Sequence, residues 1–227
     1  IGDAVYEVAR FIKNDVDPQI RIFVNSRSDA AGAQMRRIAP YVDVWSLPDR
    51  PPEYRHPDAE QQLRAKAETW TYAADGPGCA NDPHWYYRGQ MGRAFARGDT
   101  GCGFWVYDDP ESAPPPPPGW DDPLGSLGPW RVVYGAADTS VDCAGEPLVP
   151  SRRWEAWRAG VADYEYLVQV RAAADVARRA GRGAAAATAE TAVDDALRQV
   201  LGRRADADAV TAARAALTAA LERLRSE

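Results

Sequence analysis

The chain is poor in the residues that build metal and redox sites. It has three cysteines, Cys79, Cys102 and Cys143, and two histidines, His56 and His84. Three thiols cannot all pair within one chain, and their spacing fits no zinc-binding pattern; Cys79 with His84 supplies at most half of a metal site. No apolar run approaches the ~18 residues that span a bilayer, and no charged-then-apolar leader opens the chain. Clustered basic residues are also lacking: the net charge is -6, the pI is near 5.1, and the arginines are interspersed with acids. A phosphate backbone needs grouped Lys and Arg to displace its counterions, so nucleic acid is excluded as a partner. No glycine-rich phosphate loop follows any predicted strand, which excludes P-loop and dinucleotide chemistry. No cofactor is implied.

What the chain does have is length, apolar content and rhythm. Its 227 residues, 45% of them hydrophobic, suffice for one domain or one and a half with a substantial core. Ile1 is not a methionine, so the chain is expected to be processed or truncated. Residues 1–13 carry Val5, Val8, Ala9 and Ile12 at helical spacing. Ile20–Asn25 is a near-continuous apolar run of the kind buried in parallel sheets. A short helix over 30–38 and a strand over Val42–Leu47 follow, the strand with Val42 and Val44 toward the helices and Trp45 inward. After a proline-rich loop, Asp58–Ala67 reads as a helix opened by an acid. Glu68-Thr69-Trp70-Thr71-Tyr72 alternates as a strand, with both aromatics on one face. Gly76-Pro77-Gly78 and Asn81-Asp82-Pro83 turn the chain into a helix over about 85–97, and Gly101–Tyr107 is the next strand.

Trp70, Tyr72, Gly76, Pro77, Asn81, Arg88, Gly101, Gly103 and Trp105 stand in an order that resembles the later half of the catalytic barrel of glycoside hydrolase family 123. A second segment, Pro150-Ser151-Arg152-Arg153 through Arg158-Ala159-Gly160 to Asp163-Tyr164-Glu165-Tyr166-Leu167, resembles the same family. Together the motifs cover roughly residues 1 to 170. The resemblance implies the second half of a (β/α)8 barrel. It also implies a retaining exo-β-N-acetylgalactosaminidase in which the sugar's own acetamido oxygen attacks the anomeric carbon. An aspartate would orient that group and the adjacent glutamate would protonate the leaving oxygen. In the family this pair ends the fourth strand, a position that falls just before Ile1.

The residues agree with a half-barrel on their own terms. Helix and strand alternate through four strands, whereas about eight are needed to close a filled barrel. Three arrangements meet that count: strands five to eight of a barrel whose first half lies upstream, a half-barrel that dimerises, or a small open α/β sheet. The first is the most economical. The partition expected is a half-barrel over 1–110, a proline-rich loop and short strand over 111–150, and C-terminal helices over 151–227. Pro114–Pro118 favour polyproline II, and Trp130–Tyr134 reads as the short strand. Ser151 is an N-cap for a helix whose stripe Trp157, Val161, Tyr164 and Val168 is expected to pack on the barrel. Arg153, Arg158, Asp163 and Glu165 are placed for ion pairs with the barrel.

The carboxylates within the chain that could replace this pair are Asp108-Asp109, Asp43 and Glu68. Asp108-Asp109 ends the last strand, but neighbouring strand residues point to opposite faces; Asp43 and Glu68 lie toward strand starts, the wrong end for barrel chemistry. No catalytic residue is assigned. Sugar binding needs aromatic faces over C–H surfaces and polar groups at hydroxyls. Trp45, Trp70, Tyr72, Trp105 and Tyr107 are the aromatics that alternation directs inward, and Asn81 lies on the loop between the last two strands. Tyr72 is the candidate for a hydroxyl reaching the acetamido group. The expected partners are therefore a carbohydrate and either a missing amino-terminal half-barrel or a second copy. The alternative function is a non-catalytic carbohydrate-binding or scaffold protein that keeps the aromatics without the carboxylates.

Overall fold

The alternation of helices and short apolar runs produces a parallel sheet. In the computed structural model, which describes residues 2–26, 32–49, 57–74, 82–105, 132–135, 148–201 and 207–226, the elements run α1 (Asp3–Phe11), β1 (Phe23–Asn25), α2 (Gly32–Ile38), β2 (Val44–Pro48), α3 (Pro57–Arg64), β3 (Glu68–Ala73), α4 (Gly89–Arg97) and β4 (Gly101–Phe104). The hairpin strands β5 (Val133–Gly135) and β6 (Leu148–Pro150) follow, then three long helices, α5 (Arg152–Arg179), α6 (Gly183–Leu201) and α7 (Ala207–Ser226). The sheet has four strands in chain order, β1-β2-β3-β4, every pair parallel. No helix among the described residues is long and apolar enough to cross a membrane.

The chain forms two compact units, Ile1–Ala74 with Arg97–Trp105, and Asp75–Ala96 with Val106–Glu227. In the first, the sheet unit, Met35 and Ile38 of α2 and Leu63 of α3 pack with Val24, Trp45 and Leu47. Both helices thus cover one face of the sheet. Two details differ from the sequence reading. Only Phe23–Asn25 of the run Ile20–Asn25 is strand, because the Ile22 N–H is taken by the Asp43 carboxylate at 2.7 Å and that carboxylate also holds Lys13 at 2.8 Å. The faces of β2 are reversed: Trp45, with no exposed surface, joins the helix-side core, while Val44 pairs in register with Phe23 and Glu68 on the other face. Four successive residues of β2 are buried, so alternation carried no sign of direction there. Trp45 is a core residue, not a residue of the open face.

In the second, helical unit, the buried positions of α5 are Arg153, Ala156, Gly160, Asp163, Leu167, Val170, Ala174 and Ala177. They alternate three and four apart, a heptad seam; Ala186, Ala189, Val193, Ala196 and Val200 of α6 repeat it. With Val210, Ala213, Leu217, Leu221 and Leu224 of α7 they make a core rich in alanine, whose small side chains let helices approach closely. The expected α5 stripe holds only in part: Tyr164 packs on this core and meets Phe95 edge-on at 5.7 Å, while Val161 and Val168 are exposed. Aromatic and branched residues suggested a shifted arc because the true seam uses alanine, glycine and an ion pair. Ser151 caps α5 as expected, its hydroxyl accepting the Trp154 N–H at 3.3 Å. Gly181, at φ +81°, ends the helix in the left-handed region. Trp130 and Pro114–Pro118 lie outside the described residues.

Candidate functional site

The site is built on β3, whose strict alternation gives the sheet unit two unlike faces. On the helix side Thr69 and Thr71 are buried, and their hydroxyls donate to Asp99 at 2.7 and 2.5 Å. Arg64 from α3 and Arg97 from the end of α4 close on the same carboxylate, Arg97 at 3.3 Å, and Arg97 also pairs with Asp49 at 2.9 Å. Burial alone would raise the Asp99 pKa; the donors from Thr71, Thr69 and Arg64 outweigh it and hold the group below the usual carboxylate range.

On the opposite face stand Trp70 and Tyr72, partly exposed. Their neighbours on β4 are Gly101 and Gly103 in direct register. A Cβ at Gly101 would lie 2.5 Å from the indole carbons of Trp70, so the ring lies across the glycine backbone; at Gly103 the nearest Tyr72 ring atom would be 3.5 Å away. W-x-Y and G-x-G are therefore one cross-strand fit, the glycines vacating the space that the rings fill. On the other flank Phe23 of β1 meets Trp70 edge-on at 5.5 Å and is 51% exposed. Trp105, just past β4, is 43% exposed, and its N–H bonds to the Ala73 carbonyl at 2.9 Å. The result is an open aromatic row, Phe23–Trp70–Tyr72, with Trp105 at the carboxyl end of the sheet.

The row is fixed from its amino end. The Trp70 indole N–H donates to Glu68 at 2.9 Å, while Thr100 and Arg21 donate to the same carboxylate at 2.8 and 2.5 Å. The Trp70 bond, then those from Arg21 and Thr100, bring the Glu68 pKa down to about 2. Glu68 is consequently ionised at neutral pH and serves to orient Trp70; it has no proton to give a leaving group. Asp43 is likewise held low: burial opposes the shift, but Lys13 and the Ile22 N–H prevail. The Tyr72 hydroxyl is pushed up by burial and remains a donor across the neutral range.

Of the six residues expected to meet a sugar, the structure brings Trp70 and Tyr72 together, puts Trp105 at the strand end, and moves Trp45 to the buried face. Asn81 and Tyr107 lie outside the described residues, as do Asp108-Asp109, His56, Cys79 and Cys143. Phe23 was missed, because an uninterrupted apolar run hides which residue faces which way. No group of three or more His, Cys, Asp or Glu side chains among the described residues is placed to hold a metal ion.

In the helical unit the two sequence motifs meet. Arg88 donates from Nε and a terminal nitrogen to the two oxygens of Asp163 at 2.6 and 3.2 Å, and Arg214 of α7 donates to Asp163 at 2.6 Å and to the Ala159 carbonyl at 2.7 Å. Gly160 lies against the Arg88 backbone: a Cβ there would come within 2.7 Å of its carbonyl oxygen. The arginine of the first motif and the glycine and aspartate of the second thus form one contact. Compared with known proteins, the chain matches no family model, no curated protein and no solved structure.

Proposed function

We propose that this chain is the carboxyl-terminal half of a (β/α)8-type glycoside hydrolase and supplies its sugar-gripping wall. The observation that carries the reading is the open aromatic row Phe23–Trp70–Tyr72 on the face of the sheet opposite α2 and α3. Strands laid down in chain order, all parallel, with α2 and α3 on one face, are the arrangement from which a barrel is wound. In a barrel the other face turns inward, and the carboxyl ends of the strands, marked here by Tyr72 and Trp105, border the active site. Flat aromatic surfaces next to polar hydrogens suit the C–H face of a hexose, and the protonated Tyr72 hydroxyl suits an acetamido oxygen. The resemblance to family 123 adds the substrate class, a terminal β-linked N-acetylgalactosamine. The resemblance puts the general acid and its aspartate partner at the end of the barrel's fourth strand; Glu68, held down to about 2 by Trp70, Arg21 and Thr100, has no proton to give in the acid's place.

The test is a titration of the chain with N-acetylgalactosamine followed by NMR or calorimetry, together with hydrolysis of a chromogenic N-acetyl-β-galactosaminide by the complete natural product. Trp70→Ala and Tyr72→Ala should each weaken binding about tenfold, roughly 1.4 kcal/mol, with the fold retained. Binding that ignores both changes would overturn the wall. Binding without any hydrolysis by the complete product would turn the reading to a non-catalytic carbohydrate-binding protein.

A further inference from the structure

The face of the sheet that carries the aromatic row also carries an exposed amide. Val24 is buried in the core with Met35, Ile38 and Leu63, so its strand neighbours Phe23 and Asn25 stand on the opposite face, and both are exposed. Parallel register sets the level of each side chain. Asn25 pairs with Ser46, and Ser46 with Trp70. Asn25 and Trp70 therefore lie on one transverse row, two strand spacings or about 10 Å apart. Ser46 between them is small and buried. A pyranose laid on the indole and extending over Ser46 has the Phe23 ring toward the amino end of the strands and the Asn25 side chain at its rim.

The charges of this face are already matched. Glu68 accepts from Trp70 and Thr100 as well as from Arg21, and Arg21, 63% exposed, lies 2.5 Å from it. An anionic sugar would compete with Glu68 for that guanidinium while meeting the carboxylate's own charge, and like charges brought together oppose binding. Asn25 and Tyr72 are different. Among the described residues neither the Asn25 carboxamide nor the Tyr72 hydroxyl has a hydrogen-bond partner. The carboxamide offers two N–H donors and a carbonyl acceptor without charge. That set complements a hydroxyl, which both donates and accepts, and an acetamido group, which does the same through two atoms.

Resting on the sugar-binding reading above, we infer that Asn25 is the specificity-determining residue of the aromatic row. Its carboxamide pairs with a hydroxyl or acetamido group at the rim of an uncharged hexose stacked on Trp70. The two residues divide the work. An aromatic face supplies contact area to any pyranose and separates related sugars poorly, whereas a hydrogen-bonding group discriminates against an analogue that lacks its partner.

The test is a titration of the nitrogen-labelled 227-residue chain with N-acetylgalactosamine, followed by NMR at the Asn25 side-chain amide and the Trp70 indole. Both resonances should move, with one dissociation constant. Asn25→Ala should weaken binding about fivefold, the effect of one net hydrogen bond, and leave the unfolding midpoint unchanged because the side chain is exposed. Galactose should bind more tightly than galacturonic acid, which differs from it by the carboxylate. A sugar that moves the Trp70 indole but not the Asn25 amide, or that binds Asn25→Ala as it binds the parent chain, would sink the role of Asn25 and leave the aromatic row standing. Galacturonic acid binding as tightly as galactose would overturn the preference for an uncharged sugar. A Trp70 indole that no sugar moves would overturn the sugar-binding reading itself, and this inference with it.

Discussion

Asp99 in the sheet unit and Asp163 in the helical unit are each buried between two arginines, but they are held in different ways. Asp99 accepts from Thr69 and Thr71 of the strand beneath it as well as from Arg64 and Arg97, and is 1% exposed. Among the described residues Asp163 accepts from guanidinium groups only, those of Arg88 and Arg214, and occupies a heptad position where an apolar residue would serve. The first carboxylate is part of the sheet's own lattice: it secures the strand that carries the aromatic row. The second replaces core packing with an ionic contact that fixes where the Pro83–Arg88 turn meets α5. A buried ion pair is weak evidence for net stability, because desolvation offsets attraction, but removing one partner strands the other. What the two sites have in common is therefore geometric specification.

The largest effect that separates them is truncation. Asp99→Ala removes the one carboxylate on which Arg64, Arg97, Thr69 and Thr71 converge and should cost about 4 kcal/mol, read as faster hydrogen exchange in β3. Asp163→Ala leaves two arginines, one of them a third exposed, and should cost about 3 kcal/mol, read in α5. An Asp163→Ala cost that exceeds the Asp99→Ala cost would reverse the comparison, and a cost under 1 kcal/mol at either site would remove it.

Glycine contacts sharpen the contrast at smaller scale. A methyl at Gly160 meets the Arg88 carbonyl oxygen at 2.7 Å and its Cα at 3.0 Å, both backbone atoms that cannot swing aside. Gly160→Ala should cost about 2–3 kcal/mol. At Gly101 the obstacle is the Trp70 ring at 2.5 Å, a side chain that can rotate away but only by giving up its bond to Glu68, so Gly101→Ala should cost about 1–2 kcal/mol. It should also change the tryptophan fluorescence. Gly103→Ala meets Tyr72 at an ordinary 3.5 Å and should be neutral within about 0.5 kcal/mol. Equal costs at Gly101 and Gly103 would mean that the indole does not lie across β4.

These cases also mark what the residues alone made legible. The order of helices and strands through β4 was readable because apolar runs and turn residues alternate cleanly, and Glu68–Tyr72 gave both its faces because threonine and aromatic residues differ in kind. β2 did not, since Val44, Trp45, Ser46 and Leu47 are all buried and either face assignment satisfies the pattern. The α5 seam was hidden for the opposite reason: its buried positions at the amino end include Gly160 and Asp163, which read as surface until Arg88 and Arg214 are known to meet them. That pairing joins residues 75 apart in the chain, and no local spacing contains it. The Trp70–Gly101 fit was available in principle, as W-x-Y opposite G-x-G at the same period of two.

Acid should act on the sheet unit through the groups that orient the aromatic row. Glu68 falls from an ordinary 4.5 to about 2 in the folded chain, and Asp99 and Asp43 are shifted in the same direction. A carboxylate whose folded pKa is depressed binds its proton more readily in the unfolded chain. Its contribution is complete above about 4.5 and is lost as the pH falls toward 2. Glu68 is nearly a third exposed, so after solvent screening its own share is about 1 kcal/mol. Exchange in β3, corrected for intrinsic rates, should therefore accelerate between pH 4.5 and pH 2, and the Trp70 fluorescence should shift as its bond to Glu68 is protonated. Glu68→Gln keeps the side chain's shape and an acceptor oxygen but removes the titration. It should flatten the fluorescence transition while leaving the Asp99-dependent part of the exchange profile in place. A fluorescence transition that persists in Glu68→Gln would show that the indole is not held by this carboxylate, and with it the aromatic row would lose the group that sets the angle of its central ring.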